Sequence, residues 1–355
     1  MVCWHSHERM TEVAKTVWHL RSFLVALAVM MPGCGFAAQS ALPFQWGLVA
    51  YHVPFPSYRL QPDDLSRIAA HGIQWISIDL AWRDIEPKPG MFTFDYHDML
   101  LAEARRHGLH VLARIGNGYG GSRPAVPDWV MTLDDAYYVA ALRRYADVTL
   151  ERYKGLIEEY AIENEGNLAA GQTLAPGGAR SGRWPPLRVL SVWLTLSQAI
   201  RHADPGVSIV LSMSDAPPLA NWLKAARRAG IDYDVIGLQS YVCNAIPFSL
   251  CPSAMAYDIN RAARLARKPV VMLETGFCPP VIYSDQRQAD YVEMMAKALH
   301  GTEARGVFFY EYLESPEEPN PPGRRCGLVH NDRTPKPAWE RYRQVIEALS
   351  GLSRP

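Results

Sequence analysis

The chain has 355 residues, 48% hydrophobic and 20% charged, enough for one large barrel or two modest domains. Its 36 basic residues offset 36 acidic ones. That balance argues against nucleic acid or an anionic membrane surface as the main partner, since either selects a net basic charge or patch. A neutral partner fits better.

The first forty residues differ from the rest. Lys15 and Arg21 precede the apolar "FLVALAVMM", and small residues follow in "PGCGFAAQSA". This is the order of a secretory signal, with an apolar run too short for a comfortable membrane span. Residues 1–40 are therefore expected to be a signal peptide and 41–355 one domain, exported to the periplasm or the exterior, with no stable membrane insertion after signal removal. Met10 offers a second start, and cleavage fits after Ala37 or Ser40; lipidation of Cys34, which ends "MPGC", is the alternative anchor. A buried N-terminal helix is the competing reading. Beyond the leader stand Cys243, Cys251, Cys278 and Cys326. Export permits disulfides. The expected pairs are Cys243–Cys251, closing a small loop, and Cys278–Cys326, linking loops past two predicted strands. No Cys-x-x-Cys or clustered Cys/His spacing suggests a metal site.

From residue 44, short apolar β-branched runs alternate with helical patterns. The strand candidates are "FQWGLVAY" (44–51), "QWISIDLAW" (74–82), "LHVLARIGN" (109–117), "IEEYAIENE" (157–165), "VSIVLSMS" (207–214), "YDVIGLQSY" (233–241), "PVVMLETGF" (269–277) and "ARGVFFYEYL" (304–313). Helical segments such as "PDDLSRIAAHG", "YHDMLLAEARRHG" and "QADYVEMMAKALHG" lie between them, several ending in the glycine common at helix C-termini. Eight β/α units without a linker-like break predict a single (β/α)8 barrel rather than an open sheet. A doubly wound sheet would also tend to carry a glycine-rich turn after its first strand, which "YHVPFPSYRL" is not. The proline-rich 315–327 reads as a loop after the eighth strand.

In such a barrel the active site lies at the C-terminal ends of the strands. The fourth candidate ends in Glu163-Asn164-Glu165 and the seventh in Glu274-Thr275-Gly276. An ionised carboxylate costs several kcal/mol to bury unless paired or hydrogen-bonded, so such clusters serve a structural network or chemistry. One strand-end glutamate is as readily a salt bridge. Two across one mouth are what retaining glycoside hydrolysis requires, a proton donor and a nucleophile, with no cofactor.

These residues resemble the retaining glycoside hydrolases of clan A, which share the barrel, an Asn-Glu at the end of strand four and a Glu at the end of strand seven. The resemblance implies Glu165 as acid/base, Glu274 as nucleophile and Asn164 as the ligand of the sugar 2-hydroxyl. "WRDIEPKPGMFTFDYHDMLLAEARRHGLHVL" (82–112) is similar to the second β/α unit of β-galactosidase and β-xylosidase families. "ENEG" and "RIGNGYGG" resemble families 35 and 42, and "LETGF" the endo-galactanases, so the likeness extends over families 35, 39, 42 and 53.

Two departures stand out. Many clan members carry an Arg on strand two beside the nucleophile, where this chain has Asp79; Arg114 on strand three is the substitute. Strand eight usually brings a Trp under the sugar, and this chain offers Tyr310, Glu311 and Tyr312. Tyr241, ending "GLQSY", occupies the place of a tyrosine that bonds the nucleophile in the clan; a core or rim tyrosine is the plain alternative. Glu163 shares the strand parity of Glu165 and is read as binding a sugar hydroxyl or pairing with Arg114. Glu86 reads as structural and His52 as an ordinary polar residue. Trp82, Tyr119, Trp129, Trp184, Tyr310 and Tyr312 fall at or beyond strand ends, where aromatic faces suit either sugar stacking or packing. A monomer acting on a β-linked neutral oligo- or polysaccharide in a loop-lined groove is expected. The competing function is a sugar-binding barrel without catalysis.

Overall fold

A computed structural model describes residues 43–51, 59–116, 125–170, 184–215, 219–244, 246–279, 284–316 and 325–351. All eight expected strands form: β1 (Gln45–Tyr51), β2 (Trp75–Leu80), β3 (His110–Ile115), β4 (Glu159–Ile162), β5 (Ser208–Ser214), β6 (Val235–Gln239), β7 (Val270–Thr275) and β8 (Ala304–Phe309). Each is parallel to its sequence neighbours, and β8 pairs with β1 through Gln45↔Gly306 to Leu48↔Phe309, closing the barrel.

Among the described residues ten α-helices return the chain: α1 (Pro62–Ala70), α2 (Trp82–Ile85), α3 (Asp95–Arg106), α4 (Asp135–Tyr153), α5 (Gly166–Ala170), α6 (Pro186–Ala203), α7 (Leu219–Arg228), α8 (Cys251–Ala266), α9 (Asp285–His300) and α10 (Pro337–Leu349). Local sequence sets their starts. Pro62, Pro186 and Pro337 open α1, α6 and α10, where a missing N–H costs nothing. Asp134 caps α4 by accepting from Tyr137 N–H at 3.1 Å. Among the described residues, no helix is long and apolar enough to cross a membrane.

Period-two alternation divides the strand side chains between two cores. Val49, Leu112, Ala161, Val210, Val235, Val271, Leu273 and Phe308 fill the barrel interior. Trp46, Leu48, Ile76, Ile78, Val111, Ile209, Ile236 and Met272 face the helices in the larger outer core. Gly47 is required by the inner one, because a Cβ there would stand 2.5 Å from the Phe308 ring.

Two irregularities bring polar residues into the barrel. Between Leu238↔Met272 and Gln239↔Glu274 the register advances by one residue on β6 and two on β7, which marks a bulge in β7. Leu273 and Glu274 consequently both face inward, where simple alternation would send them to opposite sides. A similar shift between Val270↔Ala304 and Met272↔Val307 puts an extra residue in β8. Beside it Arg305 pairs with Glu159 near the strands' N-terminal ends, and Gln45 Nε2 donates to the same Glu159 oxygen at 3.0 Å.

Candidate active site

At the other end of the barrel, Arg114 projects from β3 with its side chain fully buried. Its Nη1 lies 2.5 Å from Glu274 Oε1 and 3.8 Å from Asp79 Oδ1. Arg114 thus brings a cation to Glu274 from the third strand, and the register pair Asp79↔Arg114 sets the two charges side by side. Tyr241, just past β6, donates its hydroxyl to the second oxygen of Glu274 at 3.0 Å. Burial, then the charge of Glu274, pushes the Tyr241 phenol well above its ordinary value, so the hydroxyl keeps its proton. A guanidinium and a phenolic donor thus engage separate oxygens of the Glu274 carboxylate.

The other glutamate is set differently. β4 ends at Ile162, and the chain then turns through left-handed conformations at Glu163 (φ 60°) and Glu165 (φ 47°) before α5 begins at Gly166. Two side-chain brackets hold this turn. Glu165 N–H donates to Ser212 Oγ at 3.3 Å, while Asn167 exchanges hydrogen bonds of 2.8 and 2.9 Å with the Ser214 backbone. Burial pushes the Glu165 carboxyl up to about 8, helped by the negative charges of Glu274 and then Asp215; a bond from Ser214 and the charge of Arg114 oppose the rise. Glu165 is therefore a neutral acid at pH 7, facing Glu274 across the same mouth.

Solved glycosidases share this fold. With 18% identity and a TM-score of 0.71, the chain is similar to a family 5 subfamily 18 glycoside hydrolase from Streptomyces cattleya solved with GlcNAc, over 88% of this chain and 82% of that one. It is similar to an exo-β-1,4-mannosidase from Opitutaceae bacterium strain TAV5, with 18% identity and a TM-score of 0.70, over 90% of this chain and 63% of that one. A β-glucosidase in its apo form gives 18% identity and a TM-score of 0.69, over 87% and 99% of the two chains. Residues 56–138 match the glycoside hydrolase family 42 model, described as β-galactosidase. Among curated proteins none matches by sequence. The resemblance to clan A therefore stands on the barrel and on a stretch of family sequence around β2 and β3.

Other expected site residues are distributed unevenly. Asn164 is buried beside Arg114, its Oδ1 accepting from Gln239 Nε2 at 2.5 Å. Tyr310, half-buried just past β8, meets Tyr241 edge-to-face at 6.1 Å. Glu163 is buried with its carboxylate against Gly116, just past β3, and its charge acts on Tyr138 and Tyr145 of α4. The parity argument fails for it because alternation holds only within a strand, and Glu163 and Glu165 lie beyond one. Trp82 does not face a sugar. It is fully buried at the start of α2, stacked on Tyr145 at 4.9 Å and donating to Glu86 Oε2 at 2.7 Å. Glu86 is structural, as expected: it also accepts from Gly90 N–H at 2.7 Å and pairs with Arg144.

Trp184 and Tyr312 are buried as well. Trp184 packs on Tyr138 at 5.6 Å, and Tyr312 on Trp339 while donating to Asp64 at 3.0 Å. Trp129 is half-buried, edge-on to Trp82 at 5.9 Å. His52, Tyr119, the leader with Cys34, and much of the loops expected to wall a groove lie outside the described residues.

Cys278 and Cys326 lie at disulfide distance, their Cα atoms 4.2 Å apart, and join the segments after β7 and β8. Gln288 reinforces that rim by donating to the carbonyls of Phe277 at 3.1 Å and Cys326 at 2.8 Å. The expected Cys243–Cys251 bond is not formed. Both remain buried thiols, Cys251 directed from the start of α8 toward the Pro247 carbonyl at 3.8 Å, and burial raises both above the ordinary thiol value.

Sequence reading missed Ser212, Ser214, Asp215 and Gln239. Period two along "SIVLSMS" and "VIGLQ" places Ser212, Ser214 and Gln239 on the inner face at the active end, which was signal enough to find them. Asp215, one residue beyond β5, accepts from Ser240 Oγ at 2.6 Å. Among the described residues, no group of three His, Cys, Asp or Glu is placed to hold a metal ion.

Proposed function

We propose that the protein is a retaining β-glycoside hydrolase, with Glu274 as nucleophile and Glu165 as acid/base. The observation that carries this reading is the opposed setting of the two glutamates: one held by Arg114 and Tyr241, the other raised to about 8 by burial and its neighbours' charge. In the first step a Glu274 oxygen bonds to the anomeric carbon as the glycosidic C–O bond breaks, and Glu165 gives its proton to the departing oxygen. Glu165, now a base, takes a proton from water; that oxygen attacks the glycosyl ester and frees Glu274. Asn164 meets the sugar 2-hydroxyl, and Tyr310 offers an aromatic face at the rim.

The substrate is a β-linked neutral oligo- or polysaccharide. The equal counts of acidic and basic residues support a neutral glycan. The activities named for the similar proteins, β-galactosidase, exo-β-1,4-mannosidase and β-glucosidase, support a β linkage. The protein acts after export, its leader removed or Cys34 lipidated, with Cys278 and Cys326 bonded.

Glu274→Ala tests the reading. Activity on aryl β-glycosides should fall by at least about 10⁴-fold, and azide should restore turnover with inverted product. Glu165→Ala should spare substrates with good leaving groups, which need no proton. Normal turnover by both variants on a natural glycan would overturn the assignment.

A further inference from the structure

Five neighbouring strands, β3 to β7, each contribute a residue to an arc around the mouth: Arg114, Asn164, Ser212, Gln239 and Glu274. Four of these form a hydrogen-bond relay, in which Ser212 and Gln239 have no part in the proposed reaction. Glu165 N–H donates to Ser212 Oγ at 3.3 Å, Ser212 Oγ to Gln239 Oε1 at 3.1 Å, and Gln239 Nε2 to Asn164 Oδ1 at 2.5 Å. Arg114 Nη1 lies 3.5 Å from the same Asn164 oxygen. Ser212, Gln239 and Asn164 are at most 2% exposed, so these contacts form away from bulk water.

The two ends of an amide have the same shape, and partners decide which end accepts. Both ends of this relay are obligate donors, a backbone N–H and a guanidinium. Ser212 accepts from Glu165 and donates to Gln239 Oε1, and at the other end Arg114 admits only an oxygen from Asn164, so Gln239 turns Nε2 toward Asn164. Asn164 then has only one consistent orientation, its oxygen held inside and its N–H₂ turned toward the mouth. The geometry points to Gln239, set by Ser212, as a positioning residue that fixes Asn164 as a hydrogen-bond donor, so that the site selects a sugar whose 2-substituent accepts. A 2-hydroxyl satisfies this. A 2-deoxy sugar leaves the donor unmet, and a 2-ammonium group opposes donor with donor. The preference for the substituent rests on the glycosidase reading; the orientation of the amide does not.

Two measurements separate them. Neutron diffraction from the wild-type protein should place deuterium on the Asn164 atom facing the mouth, and the oxygen there instead would overturn the proposal. Kinetically, the ratio of kcat/KM for an aryl β-glycoside to its 2-deoxy counterpart should drop about tenfold or more in Gln239→Leu, because the hydrogen bond to the 2-hydroxyl strengthens in the transition state. Ser212→Ala should lower it less. In an Asn164→Ala background, Gln239→Leu should change the ratio no further, which general damage to the site would not produce. An unchanged ratio in folded Gln239→Leu would overturn the proposal. Should the wild type cleave no glycoside, the hydrolase reading falls, and the nuclear density alone decides the relay.

Discussion

Two guanidinium–carboxylate pairs stand at opposite ends of one barrel. Arg305 and Glu159 meet near the strands' N-terminal ends, with Gln45 bonded to the same carboxylate; Arg114 and Glu274 meet at the C-terminal ends, with Tyr241 on the second oxygen. The chemistry is nearly the same, and in each case a register shift lies in the carboxylate's or the arginine's strand. The surroundings differ. Near Glu159 burial raises the carboxyl, with a smaller push from the charge of Glu158, against the pull of Arg305 and a bond from Gln45. At the mouth the Arg114 guanidinium is shared between Glu274 and Asp79, and the neutral Glu165 stands close enough to feel the charges of Glu274 and Asp215. Closing one end of a barrel needs only a satisfied pair, whereas a mouth built for proton transfer keeps acidic groups in unequal states.

The comparison breaks most visibly at Arg114. Arg114→Leu should lower kcat/KM on aryl β-glycosides by about 10²–10³-fold, the scale of one lost preorganised electrostatic contact. Arg305→Met should instead leave kcat/KM per folded molecule within about twofold and cost about 3 kcal/mol in chemical denaturation, the cost of stranding a buried charge. Adding Glu159→Gln to Arg305→Met should recover most of that loss, since removing both charges removes the imbalance. Activity falling equally in the two arginine variants would show that the two ends do not differ as described.

Much of this difference was legible beforehand and some was not. Apolar runs with β-branched residues located all eight strands, the rule that chemistry sits at strand C-termini singled out Glu165 and Glu274, and the resemblance to clan A pointed to Arg114 and Tyr241. What escaped depends on departures from regular backbone. Glu274 faces inward through a bulge in β7, and Glu163 lies past the end of β4 in a left-handed conformation; neither follows from a period of two. Trp82 was assigned to a strand end when the chain had already entered α2, and the indole of a helix-starting tryptophan packs under the neighbouring helix. The Cys243–Cys251 expectation rested on closeness in sequence, which sets no bond geometry.

The smallest expected effect is a shift in pH dependence. Glu165 must be neutral to donate its proton, and its carboxyl is raised to about 8, so kcat/KM should fall as pH rises through about 8. Asp215 contributes to that rise as a neighbouring negative charge, after burial and Glu274. Asp215→Asn should therefore move the basic limb to lower pH, by less than one unit, and leave the acidic limb in place. Stability carries the same sign. The ordinary value is 4.5, so between 4.5 and about 8 the folded protein retains a proton that the unfolded chain has lost, and stability falls as pH rises across that window. Glu165→Gln abolishes this dependence: its Tm should match wild type below pH 4.5 and exceed it at pH 9. The pH–rate profile of Asp215→Asn and melting curves of Glu165→Gln at the two extremes check both halves. A basic limb unmoved by Asp215→Asn, together with a Tm difference that does not grow with pH, would show that Glu165 is not the raised acid of the mouth.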